Sequence, residues 1–190
     1  MTTLPWTPIY PIVTERLVLR PHRDSDLDDL LEFHSDPEVV RYIPWPVQTR
    51  EQVRVALDLR VTADRVEKEG DWLILAMELR ETGRVIGEVL LKCSSIERGE
   101  AELGYAVHAG FHGRGLASEA ARAMLALGFG ELGLRRVTAE LDARNTASAK
   151  LLERLGFTLH RRFATEFKGE QTEDLEYALE KRSLEVPESN

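Results

Sequence analysis

Phe111-His112-Gly113-Arg114-Gly115-Leu116-Ala117 runs directly into the helical pattern Ser118-Glu119-Ala120-Ala121-Arg122-Ala123-Met124-Leu125. Two glycines flanking an arginine let backbone approach a ligand closely. The helix behind them turns unpaired N–H groups and the positive end of its dipole toward the loop, which is chemistry suited to a phosphate group. Gly-x-Gly alone says little, but the strand-like run Ala101 to His108 before it completes a strand, glycine loop, helix unit. Arg114 either meets a phosphate or extends into water, the default for a surface arginine. Glu102 lies in that strand, where a carboxylate is costly to bury without a partner; it is either half of a structural ion pair or a group that accepts protons. Glu88 and His108 are reserves for the second role. Asn145 stands where a helix N-cap would stand, and Ser148 falls in the first turn after it. Cys93, a lone cysteine in a strand pattern with no base placed near it, reads as core.

These groups need elements to hold them. The first thirteen residues carry three prolines and no period, which predicts an irregular arm. Arg16 to Arg20 alternates as a short strand, and Leu27, Leu30, Leu31 and His34 follow helical spacing behind a cap at Asp24 or Ser25, with Asp36-Pro37 as the stop. Thr49 and Gln52 form a capping box for a helix expected to reach about Glu69, closed by Gly70. Strand patterns follow over Trp72 to Leu79, Val85 to Cys93 and Ala101 to His108. After the glycine loop come a helix to about Phe129, a strand Arg135 to Leu141, a helix Asn145 to Leu155, and a closing hairpin of Thr158 to Phe167 and Asp174 to Leu179 about Lys168-Gly169-Glu170. The polar tail, residues 181–190, is expected to fray. The fold class is mixed α/β: one domain over residues 1–190, a single twisted and mostly antiparallel sheet with helices on both faces.

Composition narrows the function classes. A length of 190 residues with 43% hydrophobic and 31% charged residues suits one globular domain. The formal net charge of −8 disfavours a nucleic-acid partner and suits a cationic acceptor or a basic protein terminus. One cysteine allows no internal disulfide and argues against a metal site. No run approaches the ~20 apolar residues of a membrane span, and the N-terminus lacks a leader pattern. The expectation is a cytoplasmic protein.

Taken together, Thr14-Glu15-Arg16-Leu17-Val18-Leu19-Arg20, Ala101-Glu102-Leu103-Gly104-Tyr105, the glycine loop, Asn145-Thr146-Ala147-Ser148 and Leu155-Gly156-Phe157 resemble the GNAT superfamily of acyl-CoA-dependent N-acetyltransferases, and within it the ribosomal-protein N-terminal (Rim-type) branch. The superfamily loop usually opens with Gln or Arg where this chain has His112. The resemblance implies acetyl-CoA as cosubstrate and no metal. It also implies that the strand before the loop splays from the strand after the helix, with a β-bulge at its end, to admit the pantetheine arm. Ala106, Val107, His108, His112, Gly113, Arg114, Gly115, Leu116, Ala117 and Asn145 would then bind the cofactor, with Gly104 and Ala106 small because the ligand comes close.

Many superfamily members protonate the departing thiolate with a tyrosine seven positions after the asparagine, but that position is Leu152; the Rim-type branch has serine at the Ser148 position, which makes Ser148 the implied acid. Glu102 is the implied base, direct or through water, because an amine of pKa near ~10 must lose a proton before attacking a thioester. The acceptor implied is a peptide N-terminal α-amine, with a small cationic amine such as an aminoglycoside or polyamine as the alternative. A non-catalytic CoA-binding sensor is the alternative of another class, and a nucleotide-binding regulator is weaker because the loop lacks the Lys-Ser/Thr ending of a P-loop. The oligomeric state stays open, a homodimer included.

Overall fold

The computed structural model describes residues 4–181. Eight strands form one sheet: β1 (Ile12–Val13), β2 (Leu17–Pro21), β3 (Trp72–Leu79), β4 (Val85–Ser95), β5 (Glu100–Val107), β6 (Arg136–Asp142), β7 (Thr158–Phe167) and β8 (Glu170–Glu180), in the order β1-β2-β3-β4-β5-β6-β8-β7. Every pairing is antiparallel except β5 with β6. Among the described residues there are five α-helices, α1 (Leu27–His34), α2 (Pro37–Val40), α3 (Arg50–Val61), α4 (Leu116–Gly130) and α5 (Thr146–Arg154), besides two short 3-10 turns at Asp24–Asp26 and Ala109–Phe111.

The parallel pair decides the architecture. β5 and β6 are matched only at Glu100↔Arg136, Ala101↔Val137 and Glu102↔Thr138, after which they separate. Their outer edges stay paired along the whole divergence, β5 with β4 to Val107 and β6 with β8 to Asp142. The sheet therefore opens as a V whose wide end carries Leu103 to Val107 on one side and Ala139 to Asp142 on the other. Backbone groups lining such a gap lack a neighbouring strand and must find another partner.

One face of the sheet packs on α4, whose Leu116, Ala120, Met124 and Leu127 are buried against Leu91, Cys93, Leu103, Val137 and Leu152. Each fully buried side chain of this size contributes about 1.5–3 kcal/mol. On the other face Leu30 and Phe33 of α1 and Val53 and Leu57 of α3 cover Ala76, Val85 and Ala106. The amphipathic spacing of both helices puts those residues on one side.

Several expectations need correction. The N-terminal arm is ordered where it is described: Trp6 is 1% exposed, bridges Val66, and leads into β1. That bridge also explains why α3 stops at Val61 rather than near Glu69. Val66 exchanges backbone hydrogen bonds with Trp6, and Asp71 accepts from the N–H groups of Glu67 and Lys68, so the segment is held outside helical geometry. Asp36-Pro37 does not simply end α1; it starts the single turn α2, with Asp36 as the cap and Pro37 in the first position, where its missing N–H costs nothing. The hairpin strand β8 begins at Glu170, four residues before the expected Asp174. The polar tail beyond Lys181 lies outside the described residues.

The candidate active site

β5 delivers the chain to the glycine loop without the expected bulge. Its register with β4 is regular from Cys93↔Ala101 to Gly87↔Val107, and His108 N–H extends the ladder to Ile86 O. What the junction requires instead is Gly87, where a Cβ would sit 2.3 Å from Ala106 O. The small residues on β5 also have protein reasons. Leu90 fills the space a Cβ on Gly104 would take, and Ala106 is buried in the α1–α3 core.

The loop forms a cradle. Gly113 and Gly115 hold φ of 73° and 76°, a left-handed conformation that favours glycine. Gly115 caps α4, whose ladder begins with Glu119 N–H donating to Gly115 O at 3.0 Å. The N–H groups before that point face the loop together with the positive end of the helix dipole, the arrangement that suits a pyrophosphate. Nothing lies within 4 Å of a Cβ built on Gly113, so the cradle is open.

His112 turns inward: its Nε2 lies 2.7 Å from Val107 O, so this nitrogen carries the proton and donates to the strand. Arg114 lies over the Phe111 ring at 5.0 Å, and its carbonyl accepts from Arg16 Nη1 at 2.8 Å. Leu116 is buried and Ala117 packs against the core, so their side chains are taken up by the protein interior.

Glu119, in the first turn of α4, has a role the sequence did not show. It accepts from Thr14 Oγ1 (2.6 Å), Arg16 N–H (2.7 Å) and Arg16 Nε (2.7 Å), tying β1 and β2 to the cradle. Burial pushes its pKa up, but these bonds outweigh that and hold it below the usual carboxylate range. The ion pair with Arg16 also offsets the negative charge of Glu119 at this helix end.

Across the V, Asn145 Oδ1 accepts from Ser148 N–H at 3.1 Å and so caps α5. The cap uses only its carbonyl oxygen, leaving the side-chain NH2 available to a ligand. Ser148 Oγ lies 2.6 Å from Tyr105 Oη, so strand β5 and helix α5 meet through two hydroxyls over the gap. Tyr105, one residue of a motif already quoted, was not singled out from sequence.

The three carboxylate and imidazole candidates have different surroundings. Glu102 sits at the closed end of the V, its side chain 30% exposed and 3.9 Å from Lys92 Nζ, on the face where register also puts Glu140 and Glu176. Burial, then the charges of Glu102 and Glu176, push the Glu140 pKa up. Glu88 is 1% exposed and gripped by Arg60, Nε to Oε2 at 2.6 Å and Nη2 to Oε1 at 2.8 Å. Although burial opposes it, the guanidinium holds this carboxyl well below the usual range, which makes it a poor proton acceptor. His108 accepts from Gly110 N–H at Nδ1 (3.0 Å) and places Nε2 3.4 Å from Glu32, so both ring nitrogens are engaged. Cys93 is fully buried, its thiol pushed up to about 11 first by burial.

A family model described as "Acetyltransferase (GNAT) domain" matches residues 16–158, a span that contains the splayed strands, the cradle and Ser148. The chain belongs to the GNAT family. It is an acyl-CoA-dependent acetyltransferase, similar to the uncharacterized N-acetyltransferase p20 of Bacillus licheniformis (36% identical over 146 residues, 77% of this chain and 81% of p20). The uncharacterized N-acetyltransferase YoaA of Bacillus subtilis is 30% identical over 150 residues, 78% of this chain and 84% of YoaA. Among solved GNAT structures, an acetyltransferase from Bacillus anthracis superposes with a TM-score of 0.80 at 26% identity, covering 90% of this chain and 98% of that one. RimL, a ribosomal L7/L12 α-N-protein acetyltransferase solved with coenzyme A, shares the fold with a TM-score of 0.77 at 19% identity, covering 89% of this chain and 96% of RimL.

Proposed function

We propose that this GNAT enzyme acetylates a primary amine, a protein or peptide N-terminal α-amine, by direct attack on acetyl-CoA in a ternary complex. The observation that carries the reading is the V itself: two strands that keep their outer partners while separating leave backbone N–H and C=O groups for an extended ligand to pair with. Ala106, Val107 and His108 line one side, with Asn145 opposite; His112 to Ala117 cradle the pyrophosphate. Acetyl-CoA supplies the activated acyl group. Backbone N–H near Val107 polarises the thioester carbonyl, Glu102 accepts the proton of the ammonium, directly or through water, and Ser148 protonates the thiolate.

Tyr105 supports the last assignment, since a hydroxyl 2.6 Å from Ser148 Oγ both orients it and can resupply its proton. Glu102 and Glu140, the more exposed acids on this sheet face, suit an incoming ammonium, while Glu176 is taken up by Arg161. RimL, which shares the fold, is an α-N-protein acetyltransferase, and that supports the choice of an N-terminal α-amine as acceptor.

Release of free thiol from acetyl-CoA, measured over peptides with free and blocked N-termini, aminoglycosides and polyamines, tests the reading. Free peptide N-termini are expected to react; turnover confined to small polyamines would replace the acceptor. Absence of turnover with every amine, alongside tight CoA binding, would favour a sensor. Acetyl-CoA at 100 times its dissociation constant should stabilise the fold by about 2.7 kcal/mol, with ATP or NAD doing much less.

A further inference from the structure

The wide end of the V has a feature the charge of the whole chain would not suggest. A cavity of about 190 Å³ lies between the tip of the β7–β8 hairpin, the end of α2 and the loop from β6 to α5, lined by Arg41, Tyr42, Arg144, Phe167, Lys168 and Glu170. Three of the six are cations, in a protein of formal net charge −8. Arg144 lies between Asp142, the last residue of β6, and Asn145, the cap of α5, so the cavity borders the loop that leads into α5.

The cations are not equivalent. Arg144 is committed to Asp142 (Nη2 to Oδ2 at 2.7 Å) and reaches Glu170 at 3.2 Å. Among the described residues, neither Arg41 nor Lys168 is paired with a carboxylate. Arg41 stands over the Tyr42 ring at 5.3 Å, and Lys168 Nζ, 5.3 Å from the Phe167 ring centroid, donates to Val40 O at 2.7 Å.

Lys168 is also held at φ 52°, the only non-glycine described with positive φ, followed by Gly169 at φ 82°. A two-residue turn with both angles positive favours Asn-Gly, so a lysine in the first place is locally unfavourable. A strained residue whose side chain lines a cavity beside a catalytic opening points to a role for that side chain.

We propose that this cavity binds an oxyanion, carboxylate or phosphate, carried by the acceptor together with its reactive amine, with Arg41 and Lys168 as the charged contacts and the Tyr42 and Phe167 rings holding those cations in place. The proposal rests on the acceptor reading above and narrows it: the anion meets the cations at the wide end of the V, so the enzyme selects amines that also carry a negative charge. The Tyr42 and Phe167 rings hold the Arg41 and Lys168 cations by cation–π contact, and the planar fork of a guanidinium matches a carboxylate or phosphate.

The variant Arg41→Gln/Lys168→Asn removes both charges and puts asparagine where the turn favours it; thermal melting checks its fold. Benzoate, phenyl phosphate and neutral benzamide are titrated into the labelled parent, following the backbone amide resonances of Arg41, Tyr42, Arg144 and Lys168. Shifts with the two anions, absent with benzamide and at least tenfold weaker in the variant, are expected, and the tighter anion names the oxyanion. Equal shifts with benzamide, or none with either anion, overturn the proposal even if the enzyme acetylates peptides. In turnover, a peptide with Glu in its second position should exceed its Gln counterpart in kcat/KM about tenfold, and L-phenylalanine should exceed its amide if a free carboxylate serves. A preference that is absent, or that persists unchanged in the variant, also overturns it. Failure of every amine to release thiol refutes the acceptor reading instead, and the titration then decides the anion site alone.

Discussion

The hydroxyls of Tyr105 and Ser148 lie 2.6 Å apart, one on the strand that borders the opening and the other on the helix across it. Ser148→Ala should leave CoA affinity nearly unchanged and lower kcat by about 10², the low end for general acid catalysis because a thiolate is a good leaving group. Tyr105→Phe, which keeps the ring and removes the bridging hydroxyl, should produce a smaller loss of the same kind. If both variants weaken only CoA binding or melting temperature, Ser148 is a structural residue.

For Glu102 the expected signature is kinetic and pH-dependent. Glu102→Gln keeps size and removes basicity, so folding and CoA binding should persist while the rate falls about 10²–10⁴. Higher pH should partly restore the variant, since solvent then provides the free amine. A folded variant with parental turnover across the whole pH range would leave an ordered water as the proton acceptor.

The Arg60–Glu88 pair predicts the opposite pattern, lost stability with chemistry intact. Glu88→Gln strands a buried guanidinium and should cost about 3–5 kcal/mol, enough to lower Tm by about 10 °C in a domain of this size. Arg60→Met/Glu88→Leu should recover most of that loss. Equal damage in the single and double variants, or a rate loss in variants that remain folded, would contradict a purely structural pair.

Acid sensitivity should trace to a buried histidine. His22 is 3% exposed, with Nε2 3.7 Å from Glu88 and Nδ1 3.7 Å from Asp26, close to Arg60 and Arg20. Burial, the largest influence, pushes its pKa down to about 4 from 6.5. The unfolded chain therefore binds the proton more readily, so stability from this group is complete above pH ~6.5 and is lost as pH falls toward 4, by at most about 3 kcal/mol. The depressed Glu88 carboxyl adds a loss of the same sign lower in pH. Denaturant melts of His22→Gln should show a flatter decline between pH 6.5 and 4; an undiminished slope would assign the loss to other groups.

Cofactor binding gives a steric test. Gly115→Val puts a β-branched side chain at φ 76° in the mouth of the cradle, 3.6 Å from Arg16 at its Cβ. CoA affinity should fall at least tenfold in protein that still folds, whereas parental affinity would move the phosphate site elsewhere.

Most elements follow from local chemistry. The capping box Thr49/Gln52, the strand alternation from Trp72 onward and the glycine loop before Ser118 are short-range patterns, and the structure has α3, β3 to β5 and α4 in those places. The end of α3 was not legible because the residue that pulls Val66 out of the helix, Trp6, lies sixty positions away and carries no helix or strand signal of its own. The same limit applies to the site. The cradle could be read because its glycines and its helix are contiguous. The sequence puts Glu102 first and Glu88 in reserve without showing the partner of either; only cross-strand register and the packing of α3 put Arg60 on Glu88 and leave Glu102 partly exposed beside Lys92. Tyr105 meets Ser148, and Arg41 shares a cavity with Lys168, only because the sheet opens and the hairpin folds back over its wide end. Those pairings depend on long-range backbone geometry, and no local spacing encodes them.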